Sequence, residues 1–273
     1  RVDSIKHAVE LARAAEGGPR NAAGVAVGSP EGARQSSLLD PRGAEVWLDA
    51  SHLESTRIVA HGNSTLHSRY YDMLRTQVLQ EMDKKSWQFL AVTSPTAACG
   101  KSVTACNLAV SIARLPERQV LLVDLDLRKP MVAKYLGLGA HSGVLNVLEG
   151  RTALSSAVLQ ASIGPSSFLV LPGSVSAPNS SEWMASQTMG TLLQTIKRDY
   201  RSRIVIFDLP PMLLGDDVIS ILPRMDAALL VAGVGSTSVS DIKECQKHLQ
   251  RTPVVRVVVN KATESQGSYY GYY

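Results

Sequence analysis

Six short apolar runs constrain what this chain can fold into: residues 89–92, 120–123, 168–171, 204–207, 227–231 and 254–259. Between them lie stretches with helical spacing at 68–82, 101–114, 184–197 and 240–250. A strand covered on both faces is apolar at nearly every position, whereas a half-exposed strand alternates. Short apolar runs alternating with helices therefore specify βαβ units and a mainly parallel sheet with helices on both faces. The expected fold is doubly wound α/β over residues 61–262. Residues 4–15 read as a short amphipathic helix stopped by Gly17-Gly18-Pro19, and the Gly-, Ala-, Ser-, Pro- and Arg-rich stretch up to residue 43 reads as a flexible linker. Residues 1–60 are thus expected as a helical and flexible N-terminal extension, and residues 263–273 as a separate tail.

The first run leads into Ser94-Pro95-Thr96-Ala97-Ala98-Cys99-Gly100-Lys101-Ser102, and helical spacing begins at once. Strand, loop and helix in that order are the context a phosphate-binding loop needs. Backbone N–H groups at the helix start would face an anion, and the helix dipole favours it. The candidate nucleotide-binding residues are Ala97, Ala98, Cys99, Gly100, Lys101, Ser102 and Val103. Lys101 would reach the β- and γ-phosphates, and the Ser102 hydroxyl would ligate Mg²⁺. Proline stands at position 95, where such a loop usually has its first glycine.

Acids close two of the later runs. Asp124 and Asp126 follow 120–123, and Asp208 follows 204–207. In open α/β sheets the carboxyl ends of strands face the ligand crevice. Paired carboxylates there can hold a metal or accept a proton from an attacking hydroxyl. An apolar run ending in an acid, as in Ile204-Val205-Ile206-Phe207-Asp208, also has the form of a Walker B strand.

Bulk properties narrow the field. A net charge of +4 is too mild to argue for nucleic-acid binding. No apolar run reaches the ~18 residues of a membrane span, and no signal peptide opens the sequence at Arg1. Three cysteines without paired spacing argue for a reducing compartment and against a disulfide framework or a zinc site. The end, Tyr269-Tyr270-Gly271-Tyr272-Tyr273, holds four of the eight tyrosines in a stretch too poor in aliphatic residues to pack. A nucleotide site and a cluster of phenols in one chain suggest a kinase whose substrate is its own end.

Together these segments resemble the bacterial tyrosine kinases of capsule and exopolysaccharide synthesis, in particular their soluble autokinases. The run from Leu121 to Pro130, LLVDLDLRKP, is similar to the family's second acidic motif, and Phe207-Asp208-Leu209-Pro210-Pro211 to its Walker B. Leu171-Pro172-Gly173 with residues 178–182 and 186–189 resembles the family's stretch between those two motifs, and Arg57-Ile58-Val59-Ala60 and Met73-Leu74-Arg75-Thr76 are similar to further family segments.

The resemblance implies a P-loop NTPase-like fold, with ATP and Mg²⁺ as cofactors. It implies Lys101, Asp124 and Asp126 as catalytic residues, Asp124 being the base for the tyrosine hydroxyl. Ser102, Asp126 and Asp208 serve the metal, and Tyr269, Tyr270, Tyr272 and Tyr273 accept phosphate between neighbouring subunits. The implied partner is a separate transmembrane chain-length (co-polymerase) activator. Membrane association then comes only through that partner, in the cytoplasm at the inner membrane.

Two departures from the family pattern stand out. Arg69, Asp72 and Arg75 occupy the place of a Glu, Arg, Arg oligomer motif, and only the last of the three matches it. Ala97-Ala98-Cys99 replaces Pro-Gly-x, and Cys99 is a candidate redox brake at a helix start. Two competing readings are a partitioning-type ATPase, which carries a loop lysine where this chain has Thr96, and a non-catalytic nucleotide-binding subunit of an export complex.

Overall fold

The computed structural model describes residues 44–62 and 66–262, all within one compact unit. In chain order the elements are β1 (Glu45–Trp47), α1 (Ala50–Ser55), α2 (Leu66–Lys85), β2 (Phe89–Thr93), α3 (Lys101–Ala113), β3 (Val120–Asp124), α4 (Val132–Leu136), α5 (Val144–Leu148) and α6 (Leu154–Ala157). There follow β4 (Leu159–Ile163), β5 (Ser166–Leu171), α7 (Ser180–Ala185), α8 (Gln187–Asp199), β6 (Ile204–Asp208), α9 (Asp217–Ile221), β7 (Ala227–Gly233), α10 (Val239–His248) and β8 (Val254–Asn260). The strands form one eight-stranded sheet in the order β1-β4-β5-β3-β6-β2-β7-β8. Every neighbouring pair is parallel except β4–β5, a hairpin turned at Gly164 (φ 53°).

The doubly wound expectation holds. Within each central strand, alternate residues enter two separate cores. Phe89, Ala91, Leu121, Val123, Val205 and Phe207 pack with residues of α5 to α10. Leu90, Val92, Val120, Leu122, Ile204 and Ile206 pack with α1 to α4. All five positions of β2, β3 and β6 are buried, which is why their sequences show no polar alternation.

Three local results differ from expectation. Residues 45–60, expected in the extension, are built into the sheet domain: β1 pairs with β4, and Leu53, Ile58 and Ala60 are fully buried. The helix expected at 184–197 is two helices, because Ser186 is extended and its Oγ accepts the Met189 N–H at 3.0 Å as the N-cap of α8. β4 was not expected from the apolar pattern, since Gln160 and Ser162 interrupt its run. The helix expected at 4–15, the linker and the tyrosine tail lie outside the described residues.

Candidate functional site

β2 delivers the chain to the loop at the carboxyl edge of the sheet, and α3 begins at Lys101. Gly100 is left-handed (φ 92°), and no side chain caps the first turn of α3, so its N–H groups remain open to an anion. Ala98 is also left-handed (φ 60°), a conformation that favours glycine. Cys99 is buried beneath the loop, with its Sγ 3.3 Å from Thr237 Oγ1 and 3.4 Å from Thr96 Oγ1. Ala97 and Ala98 are exposed, and Val103 packs partly against the core under α3.

The sheet order brings the acids to this loop. β6 lies between β3 and β2, so Asp208 pairs in register with Asp124 on one side and Val92 on the other. Lys101 Nζ reaches Asp126 Oδ2 at 2.7 Å, Asp208 Oδ1 at 3.4 Å and Ser102 Oγ at 3.1 Å. Burial alone would lower the Lys101 pKa, but the charges of Asp208 and Asp126 outweigh it, and the ammonium is held firmly protonated. Asp208 is raised above the usual carboxylate range by burial, against the pull of Lys101. Asp208 Oδ2 is buried with no hydrogen-bond partner among the described residues.

Asp124 stands differently. Its Oδ2 accepts the N–H groups of Met131 and Val132 at 3.0 Å each, and Oδ1 accepts Asp126 N–H at 3.2 Å. It therefore shapes the loop that presents Asp126 to Lys101. Burial, then the charge of Asp208, push its pKa up to about 8. Gly173 covers it so closely that a Cβ there would sit 3.1 Å from Oδ2.

The structure thus gathers Lys101, Ser102, Asp126 and Asp208 within hydrogen-bond or ion-pair reach, with Asp124 bracing them from the next strand. Tyr269, Tyr270, Tyr272 and Tyr273 lie outside the described residues. Two sets of residues at this loop had not been singled out in the sequence. Thr237 and Ser236 border Cys99, and Asn260 Nδ2 donates to the Cys99 carbonyl at 2.9 Å. Asn260 closes the sixth apolar run as Asp124 and Asp208 close theirs, and that parallel was the available signal.

Elsewhere, Asp72 and Arg75 are engaged within the chain. Asp72 pairs with Arg75 and Arg114 at 3.1 Å each and accepts Ser111 Oγ at 2.7 Å, pinning α2 to α3. Arg69 is exposed. A separate hollow of about 440 Å³, lined by Trp87, Arg118, Lys197, Arg203 and Asp226 among others, lies at the amino ends of the strands and shares no residue with the Lys101 cluster.

A mainly parallel sheet with a strand–loop–helix anion cradle and a lysine held by strand-end acids defines a P-loop nucleotide-binding domain. Residues 90–269 match the CobQ/CobB/MinD/ParA nucleotide binding domain family. More narrowly, the chain is 32% identical over 200 residues to a putative tyrosine-protein kinase EpsB of Ralstonia nicotianae, covering 73% of this chain and 26% of that protein. It is 30% identical over 225 residues to tyrosine-protein kinase YwqD of Bacillus subtilis, covering 82% of this chain and 93% of YwqD. Among solved structures, the kinase domain of Escherichia coli tyrosine kinase ETK superposes with a TM-score of 0.61 at 26% identity, covering 73% of this chain and 78% of that one. The chain belongs to the bacterial tyrosine-protein kinase family. It spans about a quarter of the length of the EpsB relative and nearly all of YwqD. Among the described residues no helix is long and apolar enough to cross a membrane.

Proposed function

We propose that this chain is an ATP-dependent protein-tyrosine autokinase that phosphorylates Tyr269, Tyr270, Tyr272 and Tyr273 at its own carboxyl end. The observation that carries the reading is Lys101 at the start of α3, gripped by Asp126 and Asp208 at the mouths of two neighbouring strands. The tyrosine cluster in the same chain supplies the acceptor.

The residues fit the cofactors. Asp208 Oδ2 is a buried acceptor with no partner among the described residues, and no side chain caps the N–H groups that open α3. Magnesium keeps several waters and is held through one or two carboxylates beside the phosphates, so Asp126 and Asp208 with the Ser102 hydroxyl suffice without a dedicated cage. Bound MgATP would supply the transferable phosphoryl group and positive charge against the carboxylates. Lys101 exchanges its carboxylate partners for phosphate oxygens. The open N–H groups of α3 and the loop from Ala97 to Val103 hold the remaining oxygens. Asp124 would take the proton from the incoming phenol in its ionised form. Burial and the charge of Asp208 push its pKa up to about 8, and the positive charge of bound Mg²⁺ would favour the carboxylate it needs.

The family setting extends the proposal. Tails dock between subunits, a separate transmembrane co-polymerase activates the kinase at the cytoplasmic face of the inner membrane, and phosphorylation regulates exopolysaccharide or capsule synthesis and export. The left-handed Ala98 favours one rival, a regulatory subunit that binds nucleotide without transferring phosphate. Incubation with ATP and Mg²⁺, followed by mass spectrometry of the tail in the parent and in Lys101→Met, separates the two. Tail phosphate in the parent alone is the expected result. Nucleotide binding without tail modification supports the rival, and no binding at all removes both.

A further inference from the structure

The phosphate loop is held in shape from outside, by a residue far away in sequence. Asn260, the last residue of β8, donates from Nδ2 to the Cys99 carbonyl at 2.9 Å and accepts Lys261 N–H on Oδ1 at 2.8 Å. The two contacts fix the amide's orientation, because a carbonyl demands a donor and an N–H an acceptor. The amide also fills the space above Gly100, where an added Cβ would lie 2.1 Å from Nδ2. The β8 end is anchored in turn, since Asn260 O accepts Val234 N–H at 3.0 Å.

The peptide plane gives this contact its consequence. In a trans peptide the carbonyl and the following N–H point in opposite directions, and the chain has no cis bonds among its described residues. Tying the Cys99 carbonyl to Asn260 therefore turns the Gly100 N–H toward the opposite side, the mouth of α3 beside Lys101. That N–H donates to no backbone carbonyl among the described residues. The neighbouring Ala98 occupies a left-handed conformation that is unfavourable for alanine, so the loop's own residues do not favour this shape.

We infer that Asn260 is a positioning residue for nucleotide binding: its amide clamps the Cys99–Gly100 peptide so that the Gly100 N–H faces the phosphates. The inference rests on the nucleotide-site reading above and adds a residue to it. Asn260→Asp keeps the acceptor for Lys261 N–H, replaces the donor to Cys99 with a second acceptor and adds a negative charge. Asn260→Ala removes the clamp without adding charge. Val258→Ala weakens the same strand, where Val258 packs against the core, without touching the loop. Lys101→Met tests the site itself.

The experiment is equilibrium binding of a fluorescent ADP with Mg²⁺ to the full chain in these five forms, with a thermal unfolding midpoint measured for each without nucleotide. The expected result is about tenfold weaker binding, equivalent to ~1.4 kcal/mol, in both Asn260 variants, near-parental binding in Val258→Ala, and loss in Lys101→Met. Parental affinity in Asn260→Ala overturns the inference while the site reading stands. So does an affinity loss in Val258→Ala equal to that in the Asn260 variants, because the effect would then follow strand stability alone. A parent that binds no nucleotide removes the site reading and the inference with it.

Discussion

Asp124 and Asp208 stand opposite one another in the register of β3 and β6, and both are completely buried. Two carboxyl groups side by side in a low-dielectric site resist simultaneous ionisation. Burial and the charge of Asp208 together hold the Asp124 pKa at about 8. In the unfolded chain it would titrate near 3.9, so between about pH 4 and pH 8 the folded state holds a proton the unfolded state has lost. Stability from this group is full below the window and falls as pH rises through it. The unfolding midpoint of the nucleotide-free protein should therefore drop between pH 6 and pH 8, and Asp124→Asn should flatten the drop. Calorimetry in matched buffers checks this, and a midpoint that climbs over that range in the parent contradicts it.

Ala98→Gly should stabilise the chain. Relief of the left-handed alanine is worth roughly 1–2 kcal/mol, offset by about 0.4–1 kcal/mol of extra freedom in the unfolded state. For a domain of this size a net gain of about 0.5–1 kcal/mol raises the midpoint by roughly 1–4 °C. The same change should tighten nucleotide binding, since the loop is no longer strained at a position next to the clamped peptide. A lowered midpoint would show that Ala98 makes contacts whose loss outweighs its strain.

The three buried cysteines should separate by pH. Burial pushes the Cys99 thiol up, but hydrogen bonds to Thr237 and Thr96 outweigh it and bring the pKa to about 7. Burial raises Cys106 well above its ordinary value and pushes Cys245 up to about 11. Alkylation followed by peptide mass spectrometry should modify Cys99 first, with its rate rising through about pH 7 and falling when nucleotide covers the loop. A mild oxidant should block nucleotide binding in the parent and spare Cys99→Ala. Equal loss in both removes the redox brake.

The central sheet and the heart of the site were legible because they obey one rule. β2, β3 and β6 are buried on both faces, so their runs are continuous, and the acids that end them mark the crevice. β1 and β4 escaped because they lie toward one edge. Glu45, Gln160 and Ser162 are tolerated there, and Ser162 Oγ even donates to Glu45 Oε1 at 3.1 Å. Asp72 and Arg75 have the spacing of surface charges on α2, and only the packing of α2 on α3 shows that they close an internal cluster. Asn260 is remote in sequence from the loop it touches, and no local pattern links β8 to β2 when β7 lies between them.

Asn107 is where the N-terminal segment is fastened to the nucleotide domain. It is fully buried within α3. Its Oδ1 accepts the N–H groups of Val59 and Ala60 at 2.8 and 3.0 Å, and its Nδ2 donates to Arg57 O at 2.9 Å. Arg57 is left-handed (φ 66°), so this short segment is bent to meet the amide. Asn107→Leu keeps a similar volume but strands those backbone groups, at about 1–3 kcal/mol for each buried one. A total near 3 kcal/mol corresponds to a fall in midpoint of roughly 6–12 °C. Because α3 carries Lys101 at its other end, the loosened segment should also gain hydrogen-exchange rate at Val59 and Ala60 before β2 or β3 does. A midpoint within about 2 °C of the parent, with unchanged protection at those two amides, would mean that residues 45–60 are held by β1 pairing and Leu53 alone.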